Sequence, residues 1–238
     1  MQPIRNASGE ELDVSFHDAE KSDCLVILGH GVTGNKDRPL LVEIADALAE
    51  SGWPCLRVSF SGNGDSEGEF THSNITKEVG DLCAVIDQVA TGKRIAYIGH
   101  SMGGAVGALS AARDERLKVL VSLAGMVHTE AFVQREFGEV IPDQGFMWDE
   151  PSYPLSQIYV DDLTQIGDTL SAARELRMPW LLLHGMDDDV VLPSDSMDLE
   201  KILRGPCNLV KIDSAGHSFE GYYNELIKEI DKWLEKYL

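Results

Sequence analysis

An apolar run at residues 95–98 ends at Gly99, and Ser101 follows between Gly99 and Gly103. Small residues at 105–112 then predict a helix. The order strand, Gly-x-Ser-x-Gly, helix predicts a very tight turn in which the serine backbone is strained. The residues two before and two after the serine therefore need to be nearly free of side chain. Such a turn lifts the hydroxyl out of the sheet. Ser101 is therefore the candidate nucleophile, and an ordinary strand-to-helix turn with a capping serine is the alternative.

Short apolar runs alternate with segments of helical periodicity along the whole chain. Continuous apolar runs are typical of strands buried on both faces of a sheet. We predict buried strands at residues 24–28, 55–60, 95–98, 118–123, 181–183 and 209–212, an edge strand at 12–17, and helices at 39–51, 74–89, 105–112, 194–203 and 222–237. This alternation predicts an α/β fold with a doubly wound, mostly parallel sheet. Glycine-rich loops, Ser101, an aspartate run and His217 all follow strands, so we expect them to share one sheet edge.

Residues 126–170 interrupt this alternation with a segment rich in aromatic residues and proline. A long segment of this kind inside a compact domain is usually functional. We predict one domain over residues 1–238, with a short cap inserted at about 126–170 above the active edge. Two ordinary surface helices are the alternative. Within the cap, we expect Phe146, Trp148 and Tyr159 to contact substrate.

A serine nucleophile needs a base, a group that orients the base, and donors for the oxyanion. Of the seven histidines, His217 lies in a Gly-His-Ser turn after the last strand and completes the chain order Ser, acid, His. His30 and His184 each precede a glycine and are expected to shape loops. His100 lies inside the elbow, and we expect it to face away from Ser101.

Three consecutive aspartates follow the strand at 181–183. The orienting carboxylate has to hang from this loop and reach back to His217. Asp188 is the first choice, because Asp187 is too close to the strand end. Asp189 is the second choice.

Two backbone N–H groups are the expected oxyanion donors. One belongs to Met102, directly after the nucleophile, and the other to Val32, in the loop after the first buried strand. Gly31 allows close approach of the backbone there. Phosphate binding is the alternative for a glycine-rich loop, but the chain has no Gly-Lys-Ser/Thr.

The net charge of −20 and a pI near 4.6 argue against nucleic acid or an anionic membrane as a partner. None of the four cysteines is in a Cys-x-x-Cys pair, and no cluster has metal-ligand spacing, so we expect no metal and no cofactor. No apolar run approaches the roughly 20 residues that span a bilayer. Residues 1–11 show no secretion signal, so we expect a cytoplasmic protein. A homodimer is one state that the sequence allows.

Taken together, these motifs resemble the α/β-hydrolase superfamily from about residue 25 to the C-terminus. The matching pieces are HGVTGNK (30–36), FSGNGDSEG (60–68), GHSMGG (99–104), HGMDDDVV (184–191) and GHS (216–218). Within the superfamily the chain is most similar to bacterial cinnamoyl (feruloyl) esterases, and monoacylglycerol lipases share the general pattern. In those esterases the catalytic acid aligns with Asp188. They usually have Phe where Val32 stands and often Gln where Met102 stands, so the acyl side of the pocket is smaller and more apolar here, which argues against an aromatic acyl group.

The resemblance implies a serine carboxylesterase that acts on a small-molecule ester, either a feruloyl (cinnamoyl) ester or one with a short-to-medium acyl chain. A thioesterase, a serine peptidase or an acyltransferase on the same fold is the alternative. A non-catalytic binding protein that kept the fold is a further alternative from a different class.

Overall fold

A computed structural model of the protein describes residues 2–89 and 91–238. Its strands are β1 (Ile4–Arg5), β2 (Glu11–Leu12), β3 (Val14–His17), β4 (Cys24–Gly29), β5 (Cys55–Val58), β6 (Arg94–His100), β7 (Leu117–Leu123), β8 (Trp180–Gly185) and β9 (Cys207–Ile212). The main sheet has seven strands in the order β3-β5-β4-β6-β7-β8-β9. All neighbours in it are parallel except β3, which pairs antiparallel with β5. The predicted α/β class with a mostly parallel sheet is confirmed.

The helices match the predicted ones closely outside the segment between β7 and β8. They are α1 (Pro39–Glu50), α2 (Ile75–Val89), α3 (Met102–Ala111), α4 (Thr129–Phe137), α5 (Gln157–Ile166), α6 (Leu170–Ala173), α7 (Pro193–Ile202) and α8 (Tyr223–Tyr237). Two 3₁₀ turns lie at Phe70–His72 and Met147–Asp149. Within the described ranges, no helix is both long and apolar enough to cross a membrane.

Alternation along each central strand gives the sheet two buried faces. On β4, Leu25 and Ile27 belong to the core beneath α2 and α3, whereas Val26 and Leu28 belong to the core beneath α1 and α8. Successive side chains of a strand point to opposite faces, so a continuous apolar run fills both layers. Each such side chain contributes roughly 1.5–3 kcal/mol when it is fully buried.

Strand register places the loop beginnings side by side. Gly29 at the end of β4 pairs with Gly99 on β6, and Gly99 pairs with Ser122 on β7. Gly185 at the end of β8 pairs with Ile212 at the end of β9. The loops that carry His30, Ser101, the aspartate run and His217 therefore leave the sheet at one edge.

Between β7 and β8 lies a segment with three helices, which we call the inserted segment (residues 124–179). Its buried side chains share the core with α2 and α3: Phe132, Met147, Leu155, Tyr159 and Leu163. Asp195 on α7 fixes its start, because Oδ2 accepts the N–H groups of Val127 at 2.8 Å and His128 at 3.0 Å. The assignment of residues 1–238 to one domain with a cap stays a prediction.

Candidate active site

Ser101 lies between β6 and α3 with a backbone conformation that is rare for a residue with a side chain. Its φ is 55° and its ψ is −122°. A Cβ atom added to Gly99 would lie 2.2 Å from the carbonyl oxygen of Gly103. One added to Gly103 would lie 2.6 Å from the carbonyl oxygen of His30. Only glycine fits at these two positions, so they permit the strained turn at Ser101.

His217 follows β9 and contacts Asp188, which follows β8. The His217 Nδ1–H group donates to Asp188 Oδ2 over 2.9 Å. The other oxygen, Asp188 Oδ1, accepts the N–H groups of Val190 at 2.9 Å and Val191 at 3.0 Å. The Asp188 side chain is fully buried, whereas its two neighbours in the aspartate run are exposed. The loop therefore turns the middle aspartate toward His217.

Hydrogen bonds keep the buried Asp188 carboxylate charged. Burial raises its pKa, but hydrogen bonds from His184 and His217 lower it by more, so the pKa of Asp188 lies below its usual range. His184 Nε2 lies 2.9 Å from the Val191 carbonyl oxygen and 3.3 Å from Asp188 Oδ2. His184 Nδ1 lies 2.7 Å from Ser196 Oγ. Since Nε2 faces two acceptors it carries the proton, and Nδ1 accepts from the Ser196 hydroxyl.

The two expected oxyanion donors flank the turn at Ser101. A Cβ atom added to Gly31 would lie 2.6 Å from Ser101 Cβ, so the backbone of the loop after β4 passes directly against the serine. The Val32 N–H follows in this loop, and the Met102 N–H is the first of α3. Among residues 2–89 and 91–238, neither N–H donates to a protein acceptor. Both remain available to an oxygen near Ser101.

His30 holds this loop against the loop after β5. Its Nε2 accepts the N–H of Phe60 over 2.9 Å, so the ring proton is on Nδ1, which donates to the carbonyl oxygen of Gly31 over 2.8 Å. Burial lowers the pKa of His30 to about 4, and the ring is therefore neutral at pH 7. The predicted loop-shaping role of His30 has this hydrogen bonding as its physical basis.

His100 does not face away from the site, contrary to the expectation from its place in the elbow. Its side chain lines the same cavity as Ser101. Its Nε2 lies 3.0 Å from the carbonyl oxygen of His217, and the two rings are 4.8 Å apart. Burial and the neighbouring His217 lower the pKa of His100 to about 3, so the neutral ring donates to this carbonyl. No spacing rule in the sequence indicates this contact.

Ser101 and His217 open into one cavity of about 530 Å³. Its walls come from the loop after β4, the start of α1, the elbow, the loop after β8 and the loop after β9. Among the described residues, no hydrogen bond joins Ser101 Oγ to His217 Nε2. Such catalytic bonds commonly tighten only when substrate is bound.

Of the three inserted-segment residues expected to contact substrate, only Trp148 lines this cavity. Its indole N–H donates to Glu136 Oε2 over 3.0 Å, and its ring lies 4.9 Å from that of Phe137. Phe146 is 40% exposed, and Tyr159 is buried in the core with a hydroxyl that has no partner among the described residues. Val32 lines the cavity, whereas the Met102 side chain is buried outside it.

No group of three or more His, Cys, Asp or Glu side chains with metal-binding geometry occurs in the part of the chain that the structure describes. The chemistry that this cavity can support rests on the serine hydroxyl, the histidine–aspartate pair and backbone N–H groups.

Comparison with curated proteins gives human palmitoyl-protein thioesterase ABHD10, mitochondrial, at 31% identity over 178 residues. The match covers 70% of this chain and 58% of the human protein. The bovine protein of the same name is 28% identical over 177 residues. The aligned part thus spans less than two thirds of these relatives.

Solved structures share the fold over nearly the full length. Est1E from Butyrivibrio proteoclasticus with ferulic acid bound has a TM-score of 0.88 at 24% identity, covering 99% of this chain and 98% of that one. The α/β-hydrolase domain-containing protein 10 from mouse has a TM-score of 0.82 at 19% identity, covering 99% and 98%. Both similarities establish the α/β-hydrolase fold.

A family match covers more than half of the chain. Residues 20–146 match the family described as serine aminopeptidase, S33. This range includes the loop after β4, the elbow and α3. The chain therefore belongs to the serine aminopeptidase S33 family of α/β hydrolases.

Proposed function

We propose that the protein is a serine hydrolase of carboxylic esters, with Ser101 as nucleophile, His217 as general base and Asp188 as the group that orients His217. One observation carries this proposal. The strained Ser101 shares a cavity with His217, and the buried Asp188 carboxylate binds His217 Nδ1. Because Asp188 accepts the Nδ1 proton, His217 Nε2 is left to accept a proton from Ser101.

The proposed reaction starts with attack of Ser101 Oγ on the ester carbonyl carbon while His217 Nε2 takes the hydroxyl proton. The carbonyl oxygen becomes an oxyanion, which the Val32 and Met102 N–H groups stabilise. His217 then gives its proton to the leaving alkoxide, and an acyl-serine forms. Water, deprotonated by His217, attacks this acyl group, and His217 then returns the proton to Ser101 Oγ as the carboxylic acid leaves.

Asp188 keeps its charge throughout. Its lowered pKa lets it stabilise the imidazolium form of His217 without taking the proton itself. The N–H groups of Val190 and Val191 occupy its second oxygen, so the carboxylate keeps one orientation during both proton transfers.

Two groups of acyl substrate fit this proposal. Short-to-medium acyl chains suit a cavity that has Val32 at the position where the cinnamoyl esterases usually have Phe. Feruloyl and cinnamoyl esters are suggested by Est1E, whose structure has ferulic acid bound. A panel of methyl ferulate and p-nitrophenyl esters of increasing acyl length distinguishes the two groups by kcat/KM.

Thioester hydrolysis is the second candidate, because the curated relatives are palmitoyl-protein thioesterases. It uses the same acyl-serine and differs only in the leaving group, a thiolate. The serine aminopeptidase name of the family suggests amide substrates in the same way. Butyryl and palmitoyl thioesters and aminoacyl p-nitroanilides, assayed beside the oxygen esters, rank these reactions.

The deciding experiment measures hydrolysis of p-nitrophenyl acetate and butyrate by the wild type and by Ser101→Ala. We expect activity in the wild type and none above background in the variant. Ser110→Ala, on α3 but outside the cavity, is the matched control and keeps wild-type activity. Undiminished activity of Ser101→Ala contradicts the assignment. Failure of a fluorophosphonate probe to label Ser101 in the folded protein favours a non-catalytic binding protein.

The partner and location predictions remain proposals. We propose a small molecule as substrate, and a homodimer is tested by size-exclusion chromatography with light scattering. We propose the cytoplasm as the location, although the name of the ABHD10 relatives places them in mitochondria. Imaging of the tagged full-length protein distinguishes the two.

A further inference from the structure

The cavity at Ser101 has one feature that the reaction does not use, a basic side chain. The chain has 20 basic and 40 acidic residues. Among the described residues that line this cavity, Arg38 is the one with a lysine or arginine side chain, and Glu220 is the one with a carboxylate.

Arg38 is fixed in place by the loop that supplies an oxyanion donor. Its Nη2 donates to the carbonyl oxygen of Thr33 over 2.8 Å. Thr33 directly follows Val32, and its φ of 59° belongs to the left-handed region. One guanidinium N–H is used by this bond, and the planar fork has five. The exposed Arg38 side chain is therefore bound to the loop that carries Val32, with most of its donors free.

No carboxylate of the described residues neutralises Arg38. Of the 20 lysine and arginine side chains there, ten have a carboxylate within 4.0 Å, and Arg38 is one of the ten that have none. The adjacent carboxylate of Asp37 binds Lys36 at 2.7 Å and Arg57 at 2.8 Å instead. The sequence neighbour that could pair with Arg38 thus has two other partners.

The positive charge of Arg38 acts on two histidines that line the cavity. Burial is the main cause that lowers the pKa of His30 and of His100, and the charge of Arg38 lowers both further. These two rings line the cavity with Ser101. An anion beside Ser101 lies in the same field, which solvent screens in part because Arg38 is exposed.

We propose that Arg38 binds an anionic group of the substrate, a carboxylate or a phosphate, carried close to the scissile ester. This inference rests on the proposed function and names its substrate class. A guanidinium fork matches both anions in geometry, and each forms charge-assisted hydrogen bonds with it. Glu220 in the same wall repels such a group and limits its affinity.

Matched ester pairs test this proposal. The first pair is the butyryl ester of 4-hydroxybenzoate and that of its neutral methyl ester. The second is butyryl-glycerol 3-phosphate and monobutyrylglycerol. The third, p-nitrophenyl hemisuccinate and p-nitrophenyl pentanoate, carries the anion on the acyl side. The first two pairs separate carboxylate from phosphate, and the third separates the acyl side from the alcohol side.

We expect the wild type to prefer the anionic member of at least one pair in kcat/KM. Arg38→Gln lowers that anionic-to-neutral ratio about tenfold, mainly through KM, because a charge-assisted bond is lost. Arg38→Lys restores part of the ratio, and Glu220→Gln raises it. Arg113→Gln, at an exposed arginine outside the cavity, is the matched control and leaves the ratio at the wild-type value.

A wild-type preference for the neutral member of every pair overturns the proposal. So does a ratio that Arg38→Gln leaves unchanged, or a loss of equal size for both members, which would give Arg38 a purely structural role in the loop. If no ester is hydrolysed, the proposed function fails on its own. Calorimetric titration of 4-hydroxybenzoate and glycerol 3-phosphate then still decides: tighter binding by the wild type than by Arg38→Gln supports the anion site, and equal binding overturns it.

Discussion

The loops at the carboxyl edge of the sheet and the inserted segment are built in different ways. The loops start from paired strands, and their key side chains are fixed by hydrogen bonds to the backbone, as His30 is to Phe60 and Asp188 to Val191. The inserted segment is fixed mainly by apolar packing and exposes large side chains: Ile141, Phe146, Trp148 and Ile158. The comparison teaches that hydrogen bonds orient the side chains of the candidate site, whereas apolar packing positions the segment that contributes Trp148.

The sharpest test of the loops as one unit combines two variants. Ser101→Ala and His217→Ala are each expected to lower kcat about a million-fold, and the double variant no further, because neither group acts without the other. Kinetics with p-nitrophenyl butyrate and active-site titration measure this. Additive losses would contradict a shared role.

The next effect concerns Asp188. Asp188→Asn is expected to lower kcat about 10⁴-fold, since the amide cannot accept the His217 Nδ1 proton with the same charge. Asp189→Asn, one residue away and exposed, is the control and retains wild-type kcat. If Asp189→Asn were the inactive variant, the loop would have a different conformation from the one described.

A smaller effect concerns a buried carboxyl group on α2. Glu78 on α2 is buried, its Oε2 has no partner in the described structure, and Ser73 Oγ lies 3.1 Å from Oε1. Burial and the nearby Asp81 raise its pKa well above the ordinary 4.5. The folded protein therefore binds this proton more tightly than the unfolded chain does. The stabilisation that Glu78 gives the folded protein is fully present below pH 4.5, and it is lost as the pH rises through the folded-state pKa.

Glu78→Gln is expected to remove this loss. In the wild type the free energy of unfolding falls by up to about 1.4 kcal/mol per pH unit within that window. Denaturant unfolding between pH 5 and pH 9 compares the two slopes. Glu50→Gln, exposed at the end of α1, is the control and keeps the wild-type slope. Parallel curves for Glu78→Gln and the wild type would show that Glu78 ionises in the folded protein without penalty.

The smallest effect belongs to the inserted segment itself. Trp148→Ala is expected to raise KM about fivefold with little change in kcat, because the side chain lines the cavity but touches no reacting group. Phe146→Ala, two residues away and outside the cavity, is the control. A large fall in kcat for Trp148→Ala would mean that the segment positions the reacting groups after all.

The same contrast explains what could be predicted from sequence. Periodicity indicated the strands and helices of the sheet layers, because burial on two faces or on one helical face determines the residue pattern. The elbow was indicated because its glycines are a local steric need. Helices α4 to α6 and the position of Tyr159 in the core were not indicated individually. They depend on which surfaces meet, and no short pattern encodes that.

Contacts between residues far apart in the sequence were equally out of reach. His100 meets the backbone of His217 across 117 positions of sequence, and Trp180 donates to Ser122 across 58. The HGMDD spacing could have suggested that His184 supports Asp188, since the two residues are four apart after one strand. The Ser196 partner of His184 is visible only once α7 is placed.

The backbone of Ser101 has a final consequence. A φ of 55° at a residue with a side chain persists only while Gly99, Gly103 and the loop at His30 press against the turn. When these contacts separate, the serine returns to an ordinary conformation and loses its reactivity. Covalent labelling of Ser101 along a temperature ramp should therefore disappear together with the folded sheet, so that one hydroxyl reports the folding state of the whole molecule.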